Sequence, residues 1–148
     1  MIIYTDLKTY IQSNQIEDVK KSYLKLLTQL ALTQDIETDL FINNINKIYE
    51  NGIIYIAYED KNIIASGTVF IETKIIHTGK NVAHIEDIVV DIQYRKLGIS
   101  AKIIELIKKF SFMNNCYKCI LDCHSDLIPF YIKNGFINKN TQMSLYFI

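Results

Sequence analysis

The sequence predicts an α/β (α+β) fold, a mixed central sheet flanked by helices, and three observations carry that prediction. Stretches with apolar residues at helical spacing alternate with β-branched and aromatic stretches. Residues 84–123 read as strand, loop, helix, strand, a βαβ unit whose strands run parallel with a right-handed crossover. One proline and five glycines are the only strong breakers in 148 residues, with no repeat or linker, so one domain over 1–148 is expected. A chain of this length buries roughly 68–70% of its unfolded surface and can hold a core without disulfide or metal.

Taken in order, Asn14 followed by Glu17 resembles a capping box, and Ile16, Val19, Tyr23, Leu26, Leu27 and Leu30 recur at helical spacing; they predict a helix over 15–31. A second helix follows Thr38, with Phe41, Ile45 and Ile48 on one stripe, and stops at Asn51-Gly52. Residues 53–58 and 63–72 predict an antiparallel hairpin turned by Asp60-Lys61-Asn62, with 74–77 as a possible extension. Residues 84–91 predict the central strand. A helix from Ser100 to Asn114-Asn115 carries Ile103, Ile104, Ile107 and Phe110 on one face. Residues 117–123 predict a strand with Tyr117, Cys119, Leu121 and Cys123 facing one way and Lys118, Ile120 and Asp122 the other. Pro129 opens a short helix to Lys133 that Asn134-Gly135 stops, and 142–148 predict a last strand.

Composition narrows function. Sixteen basic and sixteen acidic side chains cancel, which argues against a nucleic-acid module and for a small-molecule partner. The start lacks a basic stretch followed by an apolar run, and no segment reaches eighteen apolar residues, so neither signal peptide nor membrane partner is expected. Three cysteines, Cys116, Cys119 and Cys123, suit reduced thiols in the cytoplasm better than a disulfide framework. The spacing of Cys116, Cys119, Cys123 and His124 admits a zinc or redox reading, but ligands on a strand fit a four-ligand zinc site poorly, and no metal is expected.

Arg95, the only arginine, opens the segment Arg95-Lys96-Leu97-Gly98-Ile99-Ser100-Ala101 between the predicted central strand and the long helix. Backbone N–H groups at a helix N-terminus lack intrahelical partners and sit at the positive end of its dipole, so this loop suits a pyrophosphate, with Arg95 and Lys96 adding charge. It is equally readable as an ordinary strand-to-helix turn with solvated charges. Glu86 and Asp87 are adjacent in a strand, where alternation would set them on opposite faces with different jobs. They too admit a plainer reading, as a solvated face or a structural ion pair.

The loop resembles the R/Q-x-x-G-x-G/A acyl-CoA loop of the GNAT superfamily of N-acetyltransferases, and the element order is similar. Within that superfamily the chain resembles the eukaryotic glucosamine-6-phosphate N-acetyltransferases. The resemblance rests on His84-Ile85-Glu86-Asp87-Ile88-Val89-Val90, Cys116-Tyr117-Lys118, Leu121-Asp122-Cys123 and Phe130-Tyr131-Ile132-Lys133-Asn134-Gly135-Phe136, with weaker likeness at Leu27-Thr28. It implies a fold whose fourth and fifth strands splay apart around acetyl-CoA as cosubstrate. The pantetheine arm then pairs with the backbone of Ile88, Val89 and Val90, and the pyrophosphate sits on Arg95, Lys96, Leu97, Gly98, Ile99, Ser100 and Ala101.

The implied reaction is direct attack of the glucosamine 6-phosphate amine on the acetyl group in a ternary complex. The products are N-acetylglucosamine 6-phosphate and CoA, on the route to UDP-N-acetylglucosamine. By likeness Asp122 orients the amine and helps remove its proton, Glu86 and Asp87 line the amino-sugar site, and Tyr131 donates to the departing thiolate; a phenol of reference pKa about 10 is protonated and able to do so near neutrality. Whether the amine proton leaves through Asp122, water or a main-chain carbonyl stays open. Thr28, Lys74, His77, Tyr117 and Lys118 stand where the family contacts substrate, and the same likeness implies a homodimer with C-terminal strands in the interface.

Three positions depart from the family pattern. Ser100 replaces glycine or alanine, Leu127 replaces a polar residue near the pantetheine, and Tyr146 replaces an arginine that meets the substrate phosphate. The alternative readings are an acetyltransferase for another small-molecule or protein amine, since fold does not set the acceptor, and a non-catalytic acetyl-CoA-binding module.

Overall fold

The computed structural model describes residues 1–147. Its elements run β1 (Ile3–Asp6), α1 (Leu7–Gln12), α2 (Ile16–Leu27), α3 (Thr38–Asn51), β2 (Gly52–Glu59), β3 (Asn62–Glu72), β4 (Asn81–Val90), α4 (Ile99–Met113), β5 (Cys116–Ile120) and α5 (Ile128–Lys133). The strands form one sheet in sequence order, antiparallel from β1 to β4 and parallel between β4 and β5. The parallel pair with α4 as its connection is the βαβ unit expected from residues 84–123.

Helices cover both faces. Leu7 and Tyr10 of α1, Val19, Tyr23 and Leu26 of α2, and Phe41 and Ile45 of α3 pack on Ile54, Ile56, Ile63 and Val89. On the other face Ile99, Ile103 and Ile107 of α4 pack on Ala57, Ile64, Ala65, Val69, Ala83 and Ile85. Each fully buried isoleucine or leucine contributes roughly 1.5–3 kcal/mol of transfer free energy. Since β3 is covered on both sides, residues 63–69 are buried without interruption instead of alternating.

Several expectations need correction. The four residues of β1 and six of α1 were not foreseen; they are short, and Asp6 rather than a longer pattern anchors them, accepting from Thr9 N–H at 3.2 Å, from the Thr9 hydroxyl at 2.6 Å and from the Tyr49 hydroxyl at 3.0 Å. With β1 in the sheet, β3 takes the middle place and β4 the fourth. The capping box does not form: Gln15 occupies the N-cap without a side-chain bond, and Asn14 donates to the Tyr10 carbonyl. Helix α2 ends at Leu27, four residues early, where Thr28 donates to the Lys25 carbonyl and the N–H groups of Gln29 and Leu30 reach back three residues.

Strand β3 stops at Glu72, and a turn at His77–Gly79 leads into β4 three residues before His84. Strand β5 ends at Ile120, not at 123. Residues 142–147 form no strand: Met143, Leu145 and Phe147 are 92%, 80% and 92% exposed. Ile148, the end of that expected strand, lies outside the described residues. Among the described residues no helix is long and apolar enough to cross a membrane.

Candidate active site

Strand β4 has two halves. From Val82 to His84 it pairs with β3 on one side and β5 on the other, while Asn81 pairs with β5. Beyond His84 it keeps only β3, and the sheet opens toward β5, as expected of splayed fourth and fifth strands. The register with β3 also slips here: Thr68 faces Glu86 and Ser66 faces Val89, so Gly67 opposes both Asp87 and Ile88. This is a β-bulge, with Asp87 at φ 53° in left-handed backbone. A glycine is required opposite it, because a Cβ on Gly67 would lie 2.5 Å from Ile88 Cδ1 and 2.7 Å from Ile103 Cγ2.

The backbone of this half faces the gap. Asp91 N–H donates to the Ile64 carbonyl at 2.8 Å. The two-residue repeat sends the N–H of Val89 the same way and turns those of Ile88 and Val90 toward the opening. Val89 itself is buried against the α1–α3 core, so only its backbone can serve a ligand.

At the end of the gap, Asp91 caps a turn, and the chain passes Lys96 at φ 67° and Gly98 at φ 77° into α4. The first bond within α4 runs from Lys102 N–H to the Gly98 carbonyl, so the N–H groups of Ile99, Ser100 and Ala101 are unused by the helix. The Ile99 side chain is buried, whereas Arg95, Lys96, Leu97 and Gly98 are exposed. Arg95 Nε donates to the Val90 carbonyl at 3.2 Å, which places the only arginine along the opened edge.

The bulge overturns the simple alternation expected of Glu86 and Asp87. Glu86 shares the face of Thr68, while Asp87 is the extra residue and bears on both the Tyr23 phenol and Glu86. Burial and the charges of Asp122 and Asp87 raise the Glu86 pKa, and His84 opposes them. Partial desolvation raises that of Asp87, although its side chain still meets solvent. Three carboxylates therefore gather at the mouth of the gap, an arrangement that attracts a cation.

Tyr131 of α5 completes this cluster. It is 8% exposed, its ring is edge-on to Phe130 and Phe136, and burial with Cys123 and Asp122 nearby raises its pKa, keeping the phenol a proton donor. Burial, then Asp122 and Asp126, likewise raises the Cys123 thiol.

The other predicted residues fall in three places. His77 and Tyr117 stack with ring centroids 4.3 Å apart, and the Lys118 ammonium lies 5.4 Å from the Tyr117 ring, so these three meet at the sheet's edge. Tyr117 does not share a face with Cys119: the β4–β5 register slips between Asn81 and Val82, and Cys116, Cys119 and Leu121 turn to the α4 core instead. Lys74 bonds to Glu72, which also bonds to His84. Thr28 closes α2, its hydroxyl spent on the Lys25 carbonyl, beside a surface groove lined by residues of α2 and of 33–35. Of the departures, Leu127 and Tyr146 are exposed, 43% and 78%.

Sequence reasoning passed over Glu72, His84 and the buried polar trio Tyr23, Ser66 and Thr68. Ser66 donates to the Tyr23 hydroxyl at 3.2 Å, and burial pushes the Tyr23 phenol up to about 12. The signal for His84 was present, since it stands two residues before Glu86 and strand alternation puts both on one face. Among the described residues no three His, Cys, Asp or Glu side chains converge on a metal position.

Comparison with known proteins agrees with this geometry. The model of the acetyltransferase (GNAT) family matches residues 16–136. The chain is 34% identical over 142 residues to the glucosamine 6-phosphate N-acetyltransferase of Arabidopsis thaliana, covering 93% of this chain and 95% of that protein. It is 38% identical over 136 residues to glucosamine 6-phosphate N-acetyltransferase 1 of Dictyostelium discoideum, covering 88% of this chain and 86% of that protein. The crystal structure of the Arabidopsis enzyme superposes with a TM-score of 0.88 at 31% identity, over 100% of this chain and 99% of that one. This protein belongs to the acetyltransferase (GNAT) family.

Proposed function

We propose that this protein transfers the acetyl group of acetyl-CoA to the amine of glucosamine 6-phosphate, giving N-acetylglucosamine 6-phosphate and CoA. The observation that carries the reading is the meeting of three carboxylates, Glu86, Asp87 and Asp122, with the buried Tyr131 at the mouth of the opened β4–β5 gap. The similarity to enzymes named for this reaction supports the choice of acceptor.

The thioester lies along the free edge of β4, its pantetheine amides pairing with Ile88 and Val90, its pyrophosphate on the N–H groups of Ile99, Ser100 and Ala101 beside Arg95 and Lys96. Arg95 already occupies the Val90 carbonyl, so the pantetheine engages Val90 through its N–H. The carboxylates draw in the ammonium form of the sugar. Attack needs the neutral amine, and Glu86 and Asp122 are the nearest bases. The nitrogen lone pair adds to the thioester carbon while the Ile88 N–H meets the developing oxyanion. Nitrogen then gives its remaining ammonium-type proton to a neighbouring carboxylate or water, the C–S bond breaks, and Tyr131 donates its proton to sulfur and takes one back from solvent. One backbone donor of this kind contributes on the order of 10²–10³ in rate.

The Lys118 ammonium and the His77 ring beside it offer hydrogen-bond donors for the sugar phosphate in place of an arginine at Tyr146. The protein acts as a homodimer: the apolar side chains of 143–147, bare in one chain, are covered by the second copy. CoA release on mixing acetyl-CoA with glucosamine 6-phosphate tests the reaction. Release well above that with glucosamine, lysine or a peptide amine is expected; release only with another amine would assign a different acceptor, and binding without turnover a non-catalytic module.

A further inference from the structure

We propose that His84 is a positioning residue for this reaction: fixed by Glu72, it stands beside Glu86 on one face of β4 and keeps that carboxylate charged for the incoming amine. The inference rests on the proposed acetyl transfer and goes beyond it, because His84 touches neither substrate nor cosubstrate in that reading.

The geometry is a chain of contacts. Lys74 Nζ and His84 Nε2 bond to the two different oxygens of Glu72, so the carboxylate is held from both sides and the imidazole has one fixed partner. His84 faces Phe70 and Glu86 faces Thr68 across the β3–β4 ladder, two residues apart on each strand, which sets both side chains on the same face. His84 is also the last residue of β4 paired with β5, opposite Ile120. Its backbone is anchored on both sides at the point where the sheet opens, and the site begins at the next side chain on that face.

Glu86 needs such a neighbour. The charged groups that bear on it are Asp87 on its own strand and Asp122 beyond β5, both negative, with His84 alone acting the other way. Across the ladder, β3 presents Thr68, which carries no charge, and Glu72, whose charge is taken up by Lys74 and His84. From α2 the facing titratable group is Tyr23, near Asp87, and from α5 it is Tyr131, near Asp122. Without the imidazole at 84, Glu86 loses the one neighbour that favours its charged form, binds its proton at higher pH, and loses both its attraction for an ammonium group and its capacity as a base.

The test is a ¹³C carboxyl NMR titration of Glu86, identified by its loss in Glu86→Gln, in the intact protein, in His84→Gln and in the smaller His84→Asn. Beside it run kcat/KM for glucosamine 6-phosphate against pH, acetyl-CoA affinity and the melting midpoint. The neutral variants should raise the Glu86 midpoint by about half a pH unit or more and move the acidic limb of kcat/KM upward with it. The alkaline plateau, acetyl-CoA affinity and melting midpoint should stay, and His84→Arg should restore the limb. An unmoved or lowered Glu86 midpoint in a folded neutral variant would overturn the proposal. If the intact protein turned over no glucosamine 6-phosphate, the acceptor assignment would fall, while the carboxyl titration would still decide the part played by His84.

Discussion

The first half of β4 and the second are made of similar residues and do opposite work. Val82 to His84 is tied to neighbours on both sides, and Val82, Ala83 and Ile85 are buried in continuous apolar packing. Glu86 to Val90 is tied on one side only, carries a bulge at Asp87 and exposes two carboxylates. A fully paired strand has no donors to offer a ligand, whereas a strand that has lost one neighbour keeps a row of N–H and C=O groups in fixed positions. The paired half holds the unpaired half's free groups in place.

Four substitutions would break or sharpen this contrast. Ile85→Ala, just past the doubly paired stretch and buried against α4, should lower stability by roughly 2–5 kcal/mol in a urea titration while leaving kcat of the folded protein within a few-fold. Tyr131→Phe and Asp122→Asn, at the opening, should do the reverse: kcat falls by about 10²-fold, acetyl-CoA affinity changes by less than about three-fold, and stability is kept. Gly67→Ala, opposite the bulge, should act on both halves. Its methyl group cannot fit beside Ile88 and Ile103, so a cost of about 1–3 kcal/mol in unfolding should come with weaker acetyl-CoA binding.

The smallest effect concerns charge. The folded pKa of Glu86 is raised above its unfolded value, so its carboxylate opposes folding increasingly as pH climbs through that window. Glu86→Gln should therefore be slightly more stable than the parent protein near neutrality, by less than about 1 kcal/mol, and the gain should vanish in acid below the unfolded carboxyl value. Thermal melts at several pH values read this directly.

The βαβ unit was legible because its signals are local: an apolar strand, a glycine turn, four apolar positions on one helical face. The strand-to-helix turn at 95–101 was legible for the same reason. The bulge was not, because it depends on Gly67 of a neighbouring strand making room for Ile88, a fact about packing between distant residues. The same slip explains why Glu86 and Asp87 escaped their expected alternation, and a second slip at Tyr117 explains its stacking on His77. Strand β1 and helix α1 are too short for periodicity to reveal. Residues 142–147 show the opposite failure: their pattern has strand character, but strand character in a sequence does not say which sheet will receive it.

The central claim is that the unpaired half of β4 and the first turn of α4 together hold the thioester cosubstrate. Amide hydrogen exchange with and without saturating acetyl-CoA tests it most directly. The claim predicts new protection at Ile88, Val90 and Ile99 to Ala101, with Asn81 to Ile85 unchanged because those amides are already buried or bonded. Protection confined to other surfaces, or none along 88–101 at saturation, would contradict it.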